Sequence, residues 1–454
     1  MVVYKKQQVM PSQNELSQDL TRGSIYKHLI NIAIPASMGM FFNTLYNLTD
    51  NWFAGKISDT ALVGLSISSI IFYLFLGLLA GLQNGTSVML SSEIGGSKQK
   101  NKLIPLIGNA ITLGIGLSLF VIVLGLLFAQ QTIDWLSNDT TTAELAWDYI
   151  QVLILGNIGF SISSVAAGAL MAMGDTKSNR NVLIIGFFAN LILNPALTFG
   201  LEMGVSGLAW ATLIIKLASA AYLLFVLAKR LKVRLVPNFK PDMALALLRQ
   251  VLPASFNFII MIMGSFIVTA FVSRFGDYAV AGYSVGLRIE QVLLLPALGL
   301  NIAVLAIAGQ NYGAKNYRRI AETYRKGLIL SFGIAIICIP VMIFLSPYLM
   351  GFFSSETEII AAGVSYLRID ALAFFCYVSL FISVAALQAI KQPNFPVVMG
   401  AFRQLILPLM ANYLLIVVYG YSLEWVFISV ALIVFFSMLI TLFYTRLQLK
   451  RLAQ

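Results

Sequence analysis

Apolar residues run through this chain in long blocks, and short polar stretches separate one block from the next. A helix needs roughly 20 apolar residues to cross a bilayer. Windows of that kind fall near 30–54, 61–93, 104–128, 149–173, 182–200, 205–228, 250–273, 279–310, 327–347, 363–390, 396–419 and 423–445. In hydrocarbon every backbone N–H and C=O must be satisfied within its own segment. The pattern therefore predicts an all-α polytopic membrane protein with twelve transmembrane helices.

The blocks repeat. A shift of 218 lays IPASMGMFF at 34 on LPASFNFII at 252 and pairs Phe53 with Phe271, Asp59 with Asp277, Gly64 with Gly282, Gly81 with Gly299 and Gly95 with Gly313. A shift of 217 then pairs Tyr149 with Tyr366 and GALMAMGDTK at 168 with AALQAIKQPN at 385. An even number of spans per half makes the second half enter from the same side as the first. The expected architecture is two six-helix lobes related by a parallel pseudo-two-fold repeat, an arrangement found among secondary transporters. Its parts are a flexible cytoplasmic tail over 1–25, an N-lobe over 26–228, a basic linker over 229–249, a C-lobe over 250–446 and a cytoplasmic tail over 447–454. The polar start of the chain precedes a long first helix and does not read as a cleaved signal.

Composition agrees with the pattern: 59% of residues are hydrophobic, 11% are charged and the mean hydropathy is +0.86. The formal net charge of +11 raises the question of an acidic or nucleic-acid partner. Its distribution answers no. All but six of the 30 Lys and Arg residues fall in segments that face one side of the membrane, the exceptions being Lys56, Lys216, Arg274, Arg288, Arg368 and Arg403. The opposite loops collect acids such as Asp59, Asp139, Glu202 and Glu356. Under the positive-inside rule both ends of the chain are cytoplasmic.

Two cysteines, Cys338 and Cys376, and one histidine, His28, leave no Ser-His-Asp, Cys-His or zinc constellation to assemble. No catalytic residue, metal site or cofactor is expected, and the chain does not read as an enzyme.

One carboxylate stands out, Asp50 in NTLYNLTDNW, residues 43–52. A charged side chain costs about 2.5–3.5 kcal/mol at the centre of a spanning helix on insertion scales. Asn43, Tyr46, Asn47 and Asp50 follow i, i+3, i+4, i+7 and so lie on one stripe of the first helix. The aligned positions of the second half, Met261, Gly264, Ser265 and Val268, carry no such stripe. Two further polar groups fall at similar depth: Asn190 and Asn194 in the fifth span, beside Pro195, and Thr212 in the sixth. Burial penalises the charge and hydrogen bonds favour it, which suits such a group to exchanging a proton. Two plainer readings stand beside this one: Asp50 as a wetted helix end, and the asparagines as amide glue between helices.

The order and spacing of these features resemble the MATE (multidrug and toxic compound extrusion) family, close to its DinF-like branch. The resemblance covers the chain after residue 25 and rests on the Pro-Ala-Ser openings of the first and seventh spans, Tyr46 and Asp50, the run Asn190, Asn194, Pro195, and GVSGLAWAT at 204–212. It implies that Asp50 is the cation-coupling residue, that Tyr46, Asn190, Asn194 and Thr212 complete its network, and that the first helix bends at Pro35. Some relatives carry an acid where this chain has Asn194. Sodium-coupled NorM-type members carry acids in the seventh and tenth spans, at positions aligned with about Met261 and Tyr377, so no sodium site is expected in the second lobe. Arg288 with Glu290 and Arg368 with Asp370 are spaced by two, which puts neither pair on one helix face. Each of these charges is expected to find its counter-charge across the lobe, with Glu290 and Asp370 kept as secondary coupling candidates.

The function expected on these grounds is proton-coupled antiport of amphipathic, often cationic drugs by alternating access. Asn43, Asn47, Met38, Phe41 and Phe42 are candidates to line the substrate cavity, since methionines and aromatics repack around varied ligands. The alternatives are a sodium-coupled multidrug antiporter and a lipid-linked saccharide flippase. A monomer in the bacterial inner membrane, with no nucleic-acid partner, completes the expectation.

Overall fold

Long spans that satisfy their own backbones need few loops, and the computed structural model, which describes residues 18–96, 100–137, 139–233 and 235–454, is built that way. Twelve spans follow in chain order: α1 (Ile25–Ile57), α2 (Asp59–Gly96), α3 (Lys100–Leu136), α4 (Thr140–Leu155 and Asn157–Ala172), α5 (Lys177–Gly200), α6 (Gly204–Leu231), α7 (Pro241–Val272), α8 (Asp277–Gly313), α9 (Tyr317–Phe344), α10 (Thr357–Ala389), α11 (Asn394–Val418) and α12 (Leu423–Ala453). The first 17 residues of the expected tail, with Lys5 and Lys6, lie outside the described residues, as do Lys98 and Arg234.

Several local features depart from twelve plain rods. The fourth span is two helices bent by 52° about Gly156, where a Cβ would collide with Leu213 of α6. Among the described residues the connection between the halves is non-helical only over 232–233 and 235–240, because Pro241 stands in the first turn of α7, where the missing N–H costs no intrahelical bond. That connection is docked on α3, with Asn238 N–H donating to Gly108 O and Lys240 N–H to Asn109 Oδ1 at 2.8 Å. The C-terminal residues continue α12, and Leu449 is buried. In α5 the last turn, Ala196–Gly200, is a π-helix, and α11 carries another at Tyr413–Val418, the place a shift of 218 predicts. Tyr413 stands there in place of Pro195, so the wide turn belongs to the repeat and not to the proline.

The lobes meet in one half of the bundle only. Toward the end that holds both described termini, the hydrophobic cores mix residues of the two halves, Leu29, Ile32 and Val88 with Leu300, Ala303 and Leu387, and Leu106 and Leu170 with Leu247 and Val251. Toward the far end each lobe has a core of its own, around Phe53, Ile150 and Leu208 in one and Phe271, Leu367 and Phe374 in the other. The helices thus diverge from a shared base. Small residues make the base tight: a Cβ on Gly95 would stand 1.7 Å from Gln310 O, and one on Gly313 the same distance from Ser92 O.

Residues 18–23 form a strap across this base. Gln18 N–H donates to Met173 O at the end of α4, and Leu20 N–H donates to Gln310 Oε1 of α8 at 3.0 Å. Gln310 Nε2 in turn donates to Ala172 O at 2.8 Å, so one amide holds α4, α8 and the strap. Arg319 of α9 donates to Leu20 O, Arg22 O and Gly23 O. Leu20 is fully buried in the mixed core, and His28 is hydrogen-bonded to Arg22 O at 2.7 Å. Truncating a buried leucine costs about 2–5 kcal/mol. Leu20→Ala is therefore expected to lower the thermal midpoint of the purified protein while Leu20→Ile largely keeps it; an unchanged midpoint in the alanine variant would show that the strap is not part of the core.

Candidate functional site

Asp50 lies two turns from the far end of α1 and is 6% exposed, so it is not a wetted helix end. Ionised away from water, a carboxylate needs donors. Three are present. Asn190 Nδ2 and Asn194 Nδ2 of α5 each donate to Asp50 Oδ1 at 2.8 Å, and Thr212 Oγ1 of α6 donates to Oδ2 at 3.4 Å. Tyr46, one turn earlier on α1, donates its hydroxyl to Thr212 Oγ1 at 2.8 Å. The two asparagines also bond each other, at 3.4 and 3.2 Å. All five side chains are at most 7% exposed.

The elements bring these groups together for local reasons. Spacing of four places Asn190 and Asn194 one above the other on α5. After the π turn the chain reverses through Glu202 and Gly204, both at positive φ, a conformation natural to Gly204 and tolerated by Glu202. Then Gly207 lets α6 press on the π turn, since a Cβ there would meet Thr198 N at 2.7 Å. Thr212 follows at the depth of Asp50.

The predicted stripe of α1 divides. Tyr46 and Asp50 point into the lobe, whereas Asn43 and Asn47 fall on the neighbouring flank, half-exposed and exposed. At 100° per residue the four span an arc of about 100°, wide enough to serve two faces. Of the other cavity candidates, Met38 and Phe41 are exposed, and Phe42 packs against Phe187 and Phe188 of α5 with centroids at 5.7 and 6.3 Å. Pro35 is buried within α1, which runs unbroken from Ile25 to Ile57.

The second lobe repeats half of this arrangement. Shifts of 218 and 217 place Asn194 on Asn412 and Thr212 on Ser429, and Ser429 Oγ donates to Asn412 Oδ1 at 2.8 Å. Val268 replaces the carboxylate, and buried Asn412 Nδ2 is left without a partner.

A different cluster occupies that lobe, and it corrects one expectation. Glu290 of α8 and Asp370 of α10 are 5% and 4% exposed and interact with each other. Tyr366 donates its hydroxyl to Glu290 Oε2, and its ring stands edge-on to Tyr283 at 4.9 Å. Tyr377 lies beside Asp370 and Arg403 beside Tyr377. The expected counter-charges are not what the two acids meet: tyrosines and the other acid surround them, and Arg368 donates instead to Ile343 O. The two secondary coupling candidates, brought in by α8 and α10, thus lie together and buried in the second lobe. Among the described residues Asp370 Oδ2 has no partner at hydrogen-bond distance, and Tyr377 is the phenol that faces this carboxylate.

Sequence reasoning passed over Tyr149, which is buried and close enough to Asp50 to interact with it. A signal existed, because the repeat pairs Tyr149 with Tyr366, the tyrosine that serves Glu290. Lys216 was also passed over for want of context.

Chemically, the first site holds an acceptor-only carboxylate inside a shell of donors. A proton there would turn one acceptor into a donor, and some neighbour would have to turn. Among the described residues no three His, Cys, Asp or Glu side chains come together as metal ligands.

Comparisons place the chain among known proteins. The MatE family model matches residues 35–196 and again 253–414. A probable multidrug resistance protein, YpnP of Bacillus subtilis, is 27% identical over 79% of this chain and 80% of its own. The probable multidrug resistance protein NorM of Thermotoga maritima is 28% identical over 77% and 76%. A solved outward-facing structure of a MATE multidrug resistance transporter of the MOP superfamily superposes with a TM-score of 0.89 at 22% identity, over 96% of this chain and 98% of that one. With both halves matched by one model at the spacing of the internal repeat, the chain belongs to the MatE family of multi-pass multidrug efflux transporters.

Proposed function

We propose that the protein is a secondary active antiporter of the bacterial inner membrane, with both termini cytoplasmic, that exports amphipathic and often cationic compounds in exchange for protons at Asp50. The observation that carries this is the dry shell around Asp50, with two amides on one oxygen and a threonine on the other. These bonds tie the far half of α1 to α5 and α6. On this reading a proton entering from the far, external end neutralises Asp50. The Thr212 hydroxyl then loses its acceptor, and the chain from Tyr46 through Thr212 to Asp50 rearranges. Released from its partners, α1 bends at Pro35, whose missing N–H leaves Asn31 O free of the helical bond. Substrate leaves from the cleft between the diverging lobes, which the flank bearing Asn43 and Asn47 adjoins. Proton and drug compete through this shared equilibrium and need not touch.

Sodium in place of the proton is the runner-up. It would need oxygen ligands, and the amides turn their nitrogens to Asp50, with Asn194 where some relatives carry an acid. A second reading of the coupling site is favoured by the buried pair of Asp370 and Glu290, where Asp370 Oδ2 has no partner at hydrogen-bond distance among the described residues.

In proteoliposomes, drug efflux is expected to follow an imposed pH gradient, acid on the external side, and to ignore a sodium gradient at constant pH. Asp50→Asn is expected to lower gradient-driven efflux by roughly 5- to 150-fold, the span of a coupling free energy of about 1–3 kcal/mol. Native efflux driven by sodium alone would overturn proton coupling. The double variant Glu290→Gln/Asp370→Asn is expected to keep gradient-driven efflux; a collapse as deep as that of Asp50→Asn would move the coupling site to the second lobe.

A further inference from the structure

Lys216 is an ammonium-bearing side chain inside a spanning helix, and such residues ordinarily have a partner and a task. It follows Thr212 by one turn on α6, on the face that looks toward α4. Its Nζ stands 5.8 Å from the centroid of the Phe160 ring, within the range of a cation–π contact. Phe160 is itself held edge-on by Phe72 at 5.7 Å. Among the described residues Lys216 has no hydrogen bond and no carboxylate within ion-pair distance, and the one charge that acts on it is that of Asp50. The titratable groups around the pair are Tyr46 of α1, Tyr149 of α4 and Tyr73 of α2; α5 contributes only its two amides. Shifts of 217 and 218 lead from Lys216 to Ile433 and Val434, so the scaffold does not require a cation there.

We propose that Lys216 is the fixed counter-charge of Asp50, a positioning residue that sets the external pH at which the carboxylate exchanges its proton and keeps the Asp50 site from presenting an uncompensated negative charge to its cargo. This rests on the reading of Asp50 as the coupling group. The ammonium sits over the Phe160 ring one helical turn from Thr212 and makes no ion pair with Asp50, so Asp50 keeps its oxygens for the amides and Thr212. With Asp50 ionised the Asp50–Lys216 pair is neutral overall. With Asp50 protonated the half-buried ammonium is left without its counter-charge, which repels a cationic cargo and favours return of the proton. Lys216 thereby turns each proton bound into a positive charge unveiled.

The test compares native protein with Lys216→Gln, Lys216→Met and Lys216→Arg, by two readouts. In proteoliposomes, the midpoint of the pH profile of efflux is expected to move to higher pH by roughly one unit in the Gln and Met variants, the size of effect one nearby charge exerts, and to stay in place in the Arg variant. In equilibrium binding at neutral pH, removing the ammonium is expected to raise affinity for the dication propidium more than for the monocation ethidium, again with Arg like native. An equal midpoint shift in all three variants would mark Lys216 as packing alone. An unmoved midpoint with an unchanged propidium-to-ethidium ratio in Gln and Met would overturn the proposal. If native efflux proves independent of the pH gradient, the reading of Asp50 fails instead, and the binding ratio, which needs no gradient, still decides the role of Lys216.

Discussion

A carboxylate removed from water has to be given back its hydrogen bonds by the protein, and the N-lobe is arranged around that need at Asp50. Two amides one turn apart on α5 and a threonine on α6 supply the bonds. To present them, α5 must end in a π turn and α6 must lean on it through Gly207. At the aligned place in the second lobe the need is absent. That lobe keeps the π turn, the asparagine and a hydroxyl, yet with Val268 in place of the acid Asn412 Nδ2 has no partner among the described residues. The carboxylate is thus an addition to the repeat and not a component of it.

The two lobes solve the burial of acid differently. Asp50 stands alone among neutral donors, with Lys216 held at a distance by an aromatic ring. Glu290 and Asp370 instead lie together, with a phenol on one of them. Two acids side by side repel each other when both are ionised, whereas a single acid inside a ring of donors has its oxygens satisfied. The same fold therefore provides two environments with opposite demands, at places that the repeat does not relate: Glu290 aligns with Phe72 and Asp370 with Leu153.

Much of this was legible in the chain alone. Block length and the shift of 218 are enough for twelve spans in two lobes, because apolar length and backbone satisfaction leave a membrane segment little choice. The partners of Asp50 were within reach because depth along a helix can be counted from its ends, and three helices of known direction cross at one depth. Other features were hidden for physical reasons. The bend at Gly156 is set by Leu213 of another helix, which no local pattern records. The meeting of Glu290 and Asp370 depends on how α8 and α10 are rotated about their axes. The division of the stripe on α1 depends on which neighbours touch its two flanks, and the strap over Leu20 is polar in sequence and buried only through tertiary contact.

Within the base where the lobes meet, α2 and α8 touch main chain to main chain. Gly95 and Gly313 bring α2 and α8 together so closely that a single methyl group on either would collide with the carbonyl opposite. A gate built of side chains can flicker, since one rotamer change opens a gap wide enough for water or an ion. A gate built of backbone has no such partial states: it opens only when whole helices part and closes only when they return. For the exchange proposed above, that difference is the difference between a valve and a sieve, because tight stoichiometry depends on a closed side that does not leak between strokes.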